Sequence, residues 1–316
     1  MRREAHSGFQ PRFGLPGSLS AGPRHRTAPI APSQAYTLWR LGMSPTRSRM
    51  MHARIPQIDF SNADGLWIPR WPQMAHRLNG ASLFLPYLEP YLIRVMKQAR
   101  PILAEKAPDL LADVDVFNRQ EANHYKVHAA YNRVLFAQYP GLEPFDAEIK
   151  ADFERFLSEE SLDWNLAYCE GFECSGLISS EFFLQEIDDA LGGSDPAVHE
   201  LWAWHLAEEF EHRNVTHDVL RTVAPGWLHR LRGFKAFGEH LQSFTARVSE
   251  HLMAIDRERG RIDDDVLAES EAFTRREGRF YRPRILKILM PWYSPHPRPT
   301  QAPTRRVLDA YPEKAA

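Results

Sequence analysis

Glu121-Ala-Asn-His124-Tyr-Lys-Val-His128 and His205-Leu-Ala-Glu208-Glu209-Phe-Glu211-His212 are the two segments on which the reading of this chain turns. Positions three, four and seven apart share one face of a helix. The first segment therefore points Glu121, His124 and His128 the same way. The second does the same with His205, Glu209 (or Glu208) and His212. Each contains Glu-x-x-His, the ligand pair that two of four helices contribute in di-iron and di-manganese carboxylate proteins. A single pair is ordinary on a solvated helix. Two pairs about 85 residues apart, each with an extra His on the same face, point to a metal centre.

The neighbouring residues argue that both faces are buried. The first helix continues Ala-Ala-Tyr-Asn-Arg-Val-Leu-Phe, and Leu201, Trp202, Trp204, Leu206 and Phe210 flank the second pair. Carboxylates and imidazoles in such surroundings must be paired or metal-bound. The geometry of a dinuclear site then asks for two more carboxylates from two more helices. Glu89 and Glu170 are the best placed, each inside an apolar stretch of a long helix. Glu173, one turn from Glu170, competes, its other reading being a cap or a surface salt bridge. Four carboxylates neutralise two divalent cations. Oxygen and imidazole donors without a thiolate suit iron first, with manganese or zinc as the other choices. His128, His205 and Glu208 are expected as hydrogen-bond partners of the ligands, with additional ligation as the second reading.

Composition excludes several classes of function. The chain has 316 residues, 43% hydrophobic and 25% charged, with a formal net charge of −2. Neither nucleic acid nor an anionic membrane is expected as a partner at that charge. No apolar run approaches the ~20 residues that span a bilayer. Cys169 and Cys174 lie on an expected helix, where a disulfide fits badly, so a reducing cytoplasm is expected. The sequence holds no Gly-rich phosphate loop and no Gly-x-Ser-x-Gly elbow, and the His-rich segment is not His-Glu-x-x-His.

Helical periodicity dominates the rest of the chain, so the fold expected is all-α: a ferritin-like four-helix bundle with additional helices. Residues 1–53 are rich in Arg, Pro, Ser and Gly and are expected to be a disordered or non-native extension. The helical domain is placed at 54–280 and a Pro-rich tail at 281–316. A first helix is predicted over Asn79–Arg100, broken or kinked in its first turns by Pro86 and Pro90 and stopped by Pro101. Others follow over Pro108–Gln138, Pro144–Leu157, Ser161–Leu191, Pro196–Val223 and Trp227–Arg259. The tail has six prolines between Tyr281 and Tyr311 and no clear period, and it is expected to drape over the domain, since Ile285, Leu286, Ile288, Leu289 and Trp292 are too apolar to leave in water.

Three stretches resemble the bacterial family called predicted metal-dependent hydrolases, a ferritin-like helical group. Asn79-Gly-Ala-Ser-Leu-Phe-Leu-Pro86-Tyr-Leu-Glu89 is similar to its opening segment. Arg119-Gln-Glu121-Ala-Asn-His124-Tyr-Lys-Val-His128 resembles its Gln-Glu-x-x-His-x-x-x-His, and Trp204-His205-Leu-Ala-Glu208-Glu209-Phe-Glu211-His212 its Trp-His-x-x-Glu-Glu-x-Glu-His. The resemblance puts the third-helix carboxylate on Glu170, so the implied metal ligands are Glu89, Glu121, His124, Glu170, Glu209 and His212.

Two activities fit these ligands. The first expectation is a di-iron oxygenase or oxidoreductase acting on a small organic substrate, fed by an electron-donor protein. The second, implied by the family name, is a two-metal hydrolase that attacks with a metal-bridging hydroxide. A second copy of the chain is an expected partner in either case.

Overall fold

The computed structural model describes residues 51–311. Of the expected 1–53 extension, residues 1–50 lie outside that range. Residues 51–53 lie against the helices, where Met51 packs on the core and the His52 carbonyl accepts from Gln120. Among the described residues there is no strand, and the fold is all-α.

Helix α1 spans Pro72–Lys106, α2 Leu110–Gln138, α3 Glu143–Glu159, α4 Leu162–Glu181 and α5 Pro196–His212. They are followed by α6 Val215–Val223, α7 Trp227–Glu258, α8 Asp264–Ile288 and α9 Ala302–Ala310. The caps are those the sequence chemistry favours. Ser161 accepts from the Trp164 N–H to open α4, and Asp195 accepts from Ala197 and Val198 to open α5, with Pro196 at its first position.

Helix α1 corrects the first expectation. It begins at Pro72, not Asn79, and runs unbroken through Pro86, Pro90 and Pro101. An interior proline costs about 3 kcal/mol, so three cost roughly 9. Leu83, Phe84, Leu88, Tyr91, Leu92, Val95 and Met96 are all buried on this helix. At about 1.5–3 kcal/mol each, their burial contributes roughly 10–20 kcal/mol and wins.

Two other helices end early. Helix α4 turns into a π-helical segment over Phe182–Ile187 and a short 3-10 turn over Asp188–Ala190. The predicted single helix over Pro196–Val223 divides at Arg213–Asn214, where the Arg213 side chain donates to the Phe210 carbonyl. Beyond the break, α6 places His217 Nδ1 3.0 Å from Glu170 Oε1 on α4.

Helix α1 packs most extensively on α2 and α7, and α7 also covers α4. The α4–α7 contact is backbone to backbone. A Cβ on Gly233 would sit 2.3 Å from the Ala167 carbonyl carbon, so only glycine permits the approach. Phe84, Phe153, Phe156, Tyr168 and His240 interlock beside it, mostly edge to face.

The C-terminal region differs from its expectation as well. Helix α8 continues through Tyr281 and past Pro283 to Ile288, and α9 follows. Ile288 is buried, but Leu286 is 59% exposed and Trp292 76% exposed. On a helix residues 286 and 288 point to nearly opposite sides, so only one can face the bundle. No helix among the described residues is long and apolar enough to cross a membrane.

Candidate metal centre

Four helices direct acids and imidazoles into one region. Helix α1 supplies Glu89, α2 supplies Glu121 and His124, α4 supplies Glu173, and α5 supplies His205, Glu209 and His212. None of these residues is more than 2% exposed. Their donor atoms form two groups, Glu89–His124–His205 and Glu121–Glu173–Glu209–His212, with all atoms of a group within 4.8 Å of one another.

Two carboxylates face both groups. Glu209 Oε1 lies 3.3 Å from His205 Nε2 and 3.8 Å from His124 Nδ1, while its Oε2 lies 3.5 Å from His212 Nε2. Glu121 repeats the pattern, with Oε2 3.8 Å from His124 Nδ1 and Oε1 3.4 Å from His212 Nε2. Glu173 Oε2 is 3.2 Å from His212 Nε2. The Glu-x-x-His spacing produces this directly, because residues three apart place their donor atoms over one patch of helix surface.

Hydrogen bonds outside the groups orient two of the imidazoles. His124 Nε2 is 3.0 Å from Glu208 Oε2, and the other oxygen of Glu208 accepts from the backbone N–H and Nη1 of Arg54. Arg54 also pairs with Glu211. His212 Nδ1 is 3.1 Å from Gln120 Oε1, whose amide nitrogen donates to the His52 carbonyl and to Glu211. Each ring thus donates outward and turns its other nitrogen inward.

The inward atoms form an unsatisfied set. Both oxygens of Glu89, Glu121, Glu173 and Glu209, with His124 Nδ1 and His212 Nε2, are buried without a hydrogen-bond partner. Buried polar atoms left in this way are costly, and so many together fit a cation in place of hydrogen bonds. The charges of these side chains make the same demand. Burial, then neighbouring Glu209, pushes Glu173 up to about 8, and burial also raises Glu89 and Glu121. Burial opposes charge on His124 and His212 too, but the carboxylates beside them hold both rings well above the usual imidazole range. Burial and the charge of His124 push His205 down to about 4. Glu209 is held low, because His212 and His205 outweigh the upward push of burial. Four carboxylates balance two divalent cations. The free thiols Cys169 and Cys174 belong to neither group.

The structure brings Glu89, Glu121, His124, Glu209 and His212 together but does not bring Glu170 to them. Glu170 Oε1 is 3.0 Å from His217 Nδ1 and 3.4 Å from Arg230 Nη1, so it is already partnered by an imidazole on α6 and a guanidinium on α7. Glu173, one turn along, takes the inward place. Of the remaining candidates, His128 reaches His205 at 3.1 Å and Glu208 stands behind His124. Sequence reasoning missed Arg54, Gln120 and Gly176. A Cβ on Gly176 would lie 2.5 Å from Glu209 Oε2, so this glycine makes room for that carboxylate. Gln120 adjoins the first motif, which was a usable signal, whereas Arg54 and Gly176 carry none of their own.

A family model described as predicted metal-dependent hydrolase matches residues 52–302. No curated protein and no solved structure matches the chain. With most of its length matched, the chain belongs to the predicted metal-dependent hydrolase family.

Proposed function

We propose that this member of the predicted metal-dependent hydrolase family is a hydrolase working through two divalent cations. Glu89 and His124 would hold one cation, Glu173 and His212 the other, with Glu121 and Glu209 shared. The observation that carries the reading is the two-faced placement of Glu121 and Glu209, each with one oxygen toward either group. One such ligand-bearing segment on each of α1, α2, α4 and α5 also supports a ferritin-like bundle. Cations held by these residues would supply Lewis acidity, the means by which water becomes a nucleophile near neutral pH and the oxygen of an ester, amide or phosphate is polarised.

The chain's own residues provide the rest. Arg54 and Glu208 fix the His124 ring, and Gln120 fixes His212. Trp204 stands edge-on to His124 and Phe117 to His212, keeping bulk water off the donor atoms. A dry site strengthens each of these electrostatic contacts.

The family description favours hydrolysis over the dioxygen-activating di-iron reading, which has no support beyond the ligand types. One experiment separates the two. Zinc-, manganese- and iron-loaded protein is assayed against panels of esters, amides and phosphates, and the diferrous form is mixed with dioxygen. Metal-dependent cleavage lost in Glu121→Gln is expected. Rapid oxygen uptake by the diferrous form, with no cleavage from any metal form, would refute the hydrolase reading.

A further inference from the structure

We infer that Asn132, Ser82 and His128 lock the tautomer of His205, so that its Nε2 serves as a third imidazole ligand at the Glu89–His124 position. The inference rests on the two-metal reading above and adds residues which that reading does not use.

One end of this hydrogen-bonded row has a fixed polarity, because a backbone carbonyl can only accept. Asn132 Nδ2 donates to the Ser82 carbonyl at 2.7 Å, which fixes the amide orientation and leaves Oδ1 as an acceptor. Ser82 Oγ lies 2.6 Å from that Oδ1, so the single hydroxyl proton of Ser82 is spent there. Ser82 Oγ can then only accept from His128 Nδ1, 2.9 Å away. His128 is fully buried, with Trp202 edge-on to it and no carboxylate among its hydrogen-bond partners, so the ring is neutral and carries its one proton on Nδ1.

Neutral His128 therefore presents a lone pair at Nε2. Its partner there is His205 Nδ1 at 3.1 Å, which must supply the proton. A neutral His205 then has its own lone pair at Nε2, aimed into the acid cluster. Its nearest carboxylate is Glu209 Oε1 at 3.3 Å, and that oxygen has no hydrogen-bond partner. Two lone pairs facing each other in a buried site call for a cation between or beside them. Glu89 and His124 fall in the same donor group as His205, Glu89 Oε1 lying 3.8 Å from His205 Nδ1.

The two cation positions are consequently unequal. One has Glu89, His124 and His205 to itself, and the other has only Glu173 and His212, while Glu121 and Glu209 are common to both. Breaking the lock should weaken one ion and spare the other, an outcome that a general loosening of the bundle would not produce.

The test is a Co2+ titration of the full chain after chelation, followed by visible absorption and by metal content. Wild type is expected to take two ions. Ser82→Ala, which removes the acceptor that fixes His128 behind His205, should weaken one of them, by no more than the roughly ten- to a hundred-fold that loss of a ligand's own hydrogen-bond partner costs. His205→Ala should weaken the same ion at least as much and change its absorption band. Unchanged affinity for both ions in both variants overturns the inference. A wild-type chain that takes up no ion refutes the two-metal reading itself. In that event the ring tautomers, read by 15N NMR on the same protein, still decide the lock: a proton on His128 Nε2 overturns it, and one on Nδ1 upholds it.

Discussion

Replacing Gly176 by Ala should damage the proposed metal centre while leaving the fold nearly untouched. The new Cβ would sit 2.5 Å from Glu209 Oε2, 3.3 Å from its Cδ and 3.6 Å from its Cγ. Ordinary contact needs at least about 3.5 Å, so the carboxylate must retreat by ~1 Å. Overpacking of this kind costs about 1–3 kcal/mol. Alanine, however, is favoured over glycine inside a helix by about 1 kcal/mol. The net change in metal-free stability is therefore within about 2 kcal/mol, which for a chain of this size is a Tm shift of no more than about 8 °C. Metal affinity has no such offset. Glu209 faces both groups, so its displacement takes a donor from each, and a loss of about 100-fold or more is expected for at least one ion, exceeding the usual effect of an outlying hydrogen bond. The assay pairs calorimetric Mn2+ or Co2+ titration with melting curves in chelator. Wild-type affinity for both ions in a folded Gly176→Ala protein would refute the reasoning, since the carboxylate could then move without consequence.

Four further outcomes are expected. Chelation should lower Tm in protein that held metal beforehand, because ions at about 100 times their Kd add roughly 2.7 kcal/mol to stability; Glu121→Ala should shrink that difference, and equal Tm values with and without chelator would contradict it. A chain starting at Met51 should melt and bind metal like the full chain, whereas Arg54→Ala should cost about 3–5 kcal/mol in urea unfolding, since it strips the cation from buried Glu208; a smaller loss would show that Glu208 is otherwise stabilised. The pH dependence has a definite sign at the buried His76–Asp256 pair, 3.0 Å apart. Burial pushes the Asp256 carboxyl up, but bonds from His76 and Tyr139 outweigh it and hold the group below its ordinary 3.8, while burial holds His76 below its ordinary 6.5. Both depressed groups contribute stability that is complete above pH 6.5 and is lost as pH falls, first through His76 and then, below 3.8, through Asp256. Asp256→Asn should flatten the acid end of that profile in urea titrations, and an unchanged slope below pH 4 would contradict it.

Much of the acid and imidazole cluster was legible because its code is local. Glu121 with His124, and Glu209 with His212, are three residues apart, and the covalent helix alone places such pairs over one patch. The all-α class followed from the same periodicity, as did the Asp195-Pro196 start of α5. The choice between Glu170 and Glu173 was not legible. Both sit one turn apart in the same apolar stretch, and the rotation of α4 about its own axis selects between them. That rotation is set from a distance, by Gly233 meeting the Ala167 backbone and by Glu209 filling the space above Gly176. The break at Arg213–Asn214, which sends His217 to Glu170, is likewise invisible in a pattern that stays helical on both sides. The prolines of α1 misled for a related reason: their cost is local, while the burial that outweighs it comes from α2 and α7. Spacing along one helix is settled by bonds within the chain, so sequence determined which acids and imidazoles form pairs. Helix rotation and helix ends are settled by packing between distant segments, so only the tertiary structure decided which carboxylates the pairs meet.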